Sequence, residues 1–139
     1  MKTNIVFVGF DLPFLNNLAK QIADLMQYKF EDLSSQFDEM LLSSIGVPLE
    51  VDKPYLEARE NLLYYLFSQK TQSVTAISAD MYLASENYNL FRDSFVIYIS
   101  SEKIKKLDKT IEKLLKKHVN LVLKQENLKF DDILNKFKG

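Results

Sequence analysis

The sequence predicts an α/β protein, a three-layer α/β/α arrangement built on a five-stranded parallel sheet. Three observations lead there. The apolar run Ile5-Val6-Phe7-Val8 does not alternate with polar residues, which suits a strand covered on both faces. Phe95-Val96-Ile97-Tyr98-Ile99 repeats that character more strongly. Helix-like stretches alternate with β-prone ones along the chain, an order that gives parallel sheets flanked by helices.

The first strand is expected over Asn4 to Gly9. Asp11 then reads as an N-cap, and Pro13 falls in the first helical turn, where its missing N–H costs nothing. Leu15, Leu18, Ala19, Ile22, Leu25 and Met26 recur at helical spacing and carry a helix over Leu12 to Met26. Lys29 to Leu33 is a short second strand. Ser34 or Ser35 can cap a helix running to about Ser44. Gly46-Val47-Pro48 breaks the chain, and Asp52 with Pro54 opens a helix to about Gln69. Ser73 to Ile77 is the third strand, Ala84 to Phe91 a helix, and Ser94 to Ser100 the fourth strand. A basic amphipathic helix starts at Ser101, with Ile104, Leu107, Ile111, Leu114 and Leu115 on one face. Val119 to Leu123 is the last strand and Phe130 to Phe137 the last helix.

The 139 residues suit one domain, residues 1–139, with 47% hydrophobic and 27% charged residues, the balance of an ordinary globular protein. The absence of cysteine removes disulfides, thiolate metal sites and cysteine nucleophiles. A single histidine, His118, cannot supply a two-histidine zinc site or acid–base pair. Its place at the end of a helix suits the helix dipole. The apolar run before Asp11 is too short for a signal peptide or a membrane span, so a cytoplasmic location is the expectation. Net charge is −1, but residues 1–100 carry 7 basic and 13 acidic side chains, and residues 101–139 carry 11 and 6. A basic tail region can contact nucleic acid or anionic lipid. The plainer reading is a solvated helix face. Lys103, Lys105, Lys106, Lys109, Lys113, Lys116 and Lys117 spread around much of the circumference, and Glu112 can pair with Lys116. No contact with membrane or nucleic acid is expected.

Strand, turn and helix over residues 4–26 form the context of a phosphate-binding P-loop, but the pattern G-x-x-x-x-G-K-[ST] is absent. The order of motifs nevertheless resembles the shikimate kinase family over nearly the whole chain. Gly9-Phe10 follow the first strand as in that family, and Leu18-Ala19-Lys20 stands for its Ile-Gly-Arg. Tyr28-Lys29-Phe30-Glu31-Asp32-Leu33-Ser34 resembles its Tyr-Pro-Phe-x-Asp-x-Asp. Val74 to Phe91 can be laid on its strand, glycine triplet and helix, and Phe95 to Ser101 on its Val-Val-Tyr-Leu-x-x-Ser. The resemblance implies a P-loop kinase fold. The interval from Ser101 to His118, which holds lysines and no arginine, is too short for a lid loop plus a helix. The lid should be reduced or absent.

Set on that family, the departures point away from catalysis. Leu12, Phe14 and Leu15 stand at its two P-loop glycines and its lysine. Glycines let backbone approach phosphate without a Cβ in the way. The lysine neutralises phosphate charge, and the next hydroxyl, here Asn16, holds magnesium. Asp11 sets a carboxylate at a helix N-terminus that would otherwise attract phosphate. On the substrate side, Asp32 keeps the first aspartate, while Ser34 replaces the second. Ser78-Ala79-Asp80 replaces the glycine triplet, placing side chains where the substrate ring would lie. Arg59 matches the family's helix arginine only with a shifted register.

The expected function is a pseudoenzyme of this fold without ATP or magnesium binding, acting through a protein partner or a small ligand. No catalytic, cofactor-binding or metal residue is expected. The alternative is a remodelled small-molecule-binding protein or enzyme. Its cleft at the strand ends would be lined by Asp11, Asn16, Asp32, Ser34, Arg59 and Asp80. Clustered carboxylates would favour it; a cleft filled by Phe10, Phe14 and Leu15 would argue against it.

Overall fold

The computed structural model describes residues 4–31, 72–83, 91–101 and 108–138. Five strands form one all-parallel sheet in the order β2-β3-β1-β4-β5. These are β1 (Ile5–Gly9), β2 (Lys29–Glu31), β3 (Ser73–Ser78), β4 (Phe95–Ser100) and β5 (Leu121–Lys124). The described helices are α1 (Leu12–Met26), α2 (Ala79–Leu83), α3 (Asp108–His118) and α4 (Phe130–Lys138), with a 3₁₀ turn at Gln125–Asn127. The helices expected after Ser34 and Asp52 lie outside the described residues, as do residues 84–90 and 102–107.

The non-alternating sequence of the central strands is explained by two cores. Ile5, Phe7, Val74, Ala76, Ile97 and Ile99 face α1 and α4, packing with Leu15, Leu18, Ala19, Ile22 and Ile133. Val6, Val8, Ile77, Val96 and Tyr98 face α2 and α3, packing with Tyr82, Phe91 and Leu115. Each strand residue in β1 therefore has an apolar neighbour whichever way it points. The N-terminal ends of three strands are tied by Asn4. Its Oδ1 accepts from the Ser73 N–H at 3.3 Å and the Ser73 hydroxyl at 3.2 Å, and its carbonyl accepts from Phe95 N–H at 2.7 Å.

α1 has the expected bounds. Its C-terminus ends in a Schellman motif, with Tyr28 N–H donating to the Ala23 carbonyl at 2.9 Å. The left-handed position is filled by Gln27, at φ 58°, where glycine is usual. The helix expected over Ala84 to Phe91 falls almost wholly outside the described residues, and a short helix that the sequence does not predict, α2, begins at Ala79 directly after β3, with Ala79 and Tyr82 buried against the sheet. Most other bounds differ by a residue at most. β5 begins at Leu121 rather than Val119. The Val119 N–H closes the last turn of α3 on the Leu115 carbonyl at 3.2 Å, and Asn120 bridges to Val96, donating its N–H to the Val96 carbonyl and accepting the Val96 N–H on its side chain.

Candidate functional site

In an open parallel sheet a ligand cleft forms beyond the C-terminal strand ends, where the chain's direction of travel switches. Here that point is β1, whose neighbours are β3 and β4. Gly9 ends β1 and α1 starts three residues later.

At this mouth apolar side chains turn inward. Leu15 is 1% exposed and belongs to the core on the α1 face, with Leu12 and Phe14 packed against the same cluster. A Cβ built on Gly9 would lie 3.2 Å from Leu15 Cδ1 and 3.0 Å from the Ile99 carbonyl oxygen. Leu15 thus sits directly over the end of β1, and the tight approach favours glycine there. Phe10 turns to the opposite face and meets the buried Tyr98 edge-on, ring centroids 6.3 Å apart.

The helix N-terminus is occupied by its own chain. Asp11 Oδ1 accepts the Phe14 N–H at 3.2 Å, and the Asp11 carbonyl accepts the Leu15 N–H at 3.0 Å. The other carboxylate oxygen accepts from Gln125 Nε2 at 3.4 Å, which joins the start of α1 to the turn after β5. Beside it Ser101 donates to Glu126 at 3.0 Å. Nothing in the sequence announces the Asp11–Gln125 contact, since the partners are 114 residues apart.

Of the expected cleft residues, Asp11 lies at the mouth and Asn16 is half-buried on α1. Asp32, Ser34 and Arg59 lie outside the described residues. Asp80 is in the first turn of α2, and its side chain is also outside them. The triplet holding it differs from the expectation in one respect. Ala79 is 1% exposed and packs into the core on the α2 face rather than projecting where a ligand ring would lie. Among the described residues no group of three His, Asp or Glu is placed to hold a metal ion, and no helix is long and apolar enough to cross a membrane.

No protein-family model matches the sequence, and no curated protein matches it. Solved structures do. A shikimate kinase from Aquifex aeolicus superposes with a TM-score of 0.70 at 14% identity, covering 98% of this chain and 96% of its own. The fold is that of the shikimate kinases. The shikimate kinase from Bacteroides thetaiotaomicron gives 0.65 at 12% identity, with 99% and 96% covered. The enzyme from Acinetobacter baumannii, solved in complex with shikimate, gives 0.64 at 15%, with 99% and 92% covered. A sugar kinase from Janibacter shares the fold at a TM-score of 0.58 and 14% identity. Within this shikimate-kinase fold, Gly9 to Leu12 form the turn between the first strand and the first helix.

Proposed function

We propose that this chain uses a kinase fold as a scaffold for interaction, neither binding MgATP nor transferring phosphate. The observation that carries this reading is the burial of Leu15 over Gly9, at the position that the sequence resemblance gives to the shikimate kinases' lysine. Phosphoryl transfer depends on positioning and on stabilising charge. An aliphatic side chain in the core supplies neither. Asp11 adds to the effect, because its carboxylate takes the Phe14 N–H and sets a negative charge at the positive end of the helix dipole, where a phosphate would have to bind.

The alternative, a remodelled small-molecule site at these strand ends, has less support. Phe10 and Leu15 turn into the two cores, and Asp11 is engaged by Phe14 and Gln125. The test is direct. Pure protein incubated with ATP, magnesium and shikimate should release no ADP above the protein-free background. Turnover with shikimate, or with another small hydroxylated acceptor, would overturn the reading.

A further inference from the structure

We draw no further inference here: the strongest candidate, the outer edge of β5 with its exposed Val122, is only four residues long, has its Leu123 carbonyl already taken by the Ser100 hydroxyl, and nothing in the structure shows what covers it.

Discussion

Leu15 and Gly9 form one unit at the mouth of the sheet, and each constrains what the other can become. Leu15→Lys would set a lysine where the sequence resemblance to the shikimate kinases has one, but in a buried apolar place where an unpaired ammonium is costly. We expect a loss on the order of 3 kcal/mol or more and no gain in nucleotide affinity, measured by urea melts and ATP titration of the same variant. Gly9→Ala would bring a methyl 3.0 Å from the Ile99 carbonyl, which is backbone and cannot turn aside. A destabilisation of about 1–3 kcal/mol should follow. Asp11→Ala tests the cap by itself. It should cost about 0.5–2 kcal/mol, and it should leave nucleotide binding undetectable, because the apolar side chains remain.

At the scale of elements, α1 is set by signals the chain itself carries: a capping aspartate, a proline in the first turn and an apolar stripe of period 3.6. Those are local, and its bounds were legible. Its last signal is unusual, since Gln27 occupies a left-handed position. Gln27→Gly should stabilise the protein by about 1 kcal/mol, read as a rise in the urea midpoint at unchanged slope. The start of α2 was not legible, because Ser78-Ala79-Asp80-Met81 holds no stronger helix signal than the residues after it. Burial of Ala79 and Tyr82 against the sheet decides it. The tie between α3 and β4 is likewise a tertiary fact. Glu112→Ala would leave the Tyr98 hydroxyl, at the end of a buried side chain, without its carboxylate acceptor. It should cost about 1–3 kcal/mol. Glu112→Gln keeps an acceptor and loses the half-exposed Lys116 pair, a change of about 1 kcal/mol or less.

Across the whole molecule, the fold was readable because non-alternating strands and intervening helices admit few arrangements. The order of motifs chose among them. The mouth of the sheet was readable only in part. That leucine, phenylalanine, leucine and asparagine stand at positions 12, 14, 15 and 16 is written in the sequence. Where their side chains go is not: Leu15 could have pointed to solvent, and Gln125 meets Asp11 only because β5 lies at the sheet edge beyond β4. We propose that apolar packing fills the place that nucleotide phosphates take in the kinases of this fold. Calorimetric titration of the purified protein with ATP and magnesium is the sharpest test. No heat of binding and no rise in melting temperature should appear. Saturable binding of ATP would contradict the proposal, because phosphate would then be held at a helix end that the chain has closed with its own side chains.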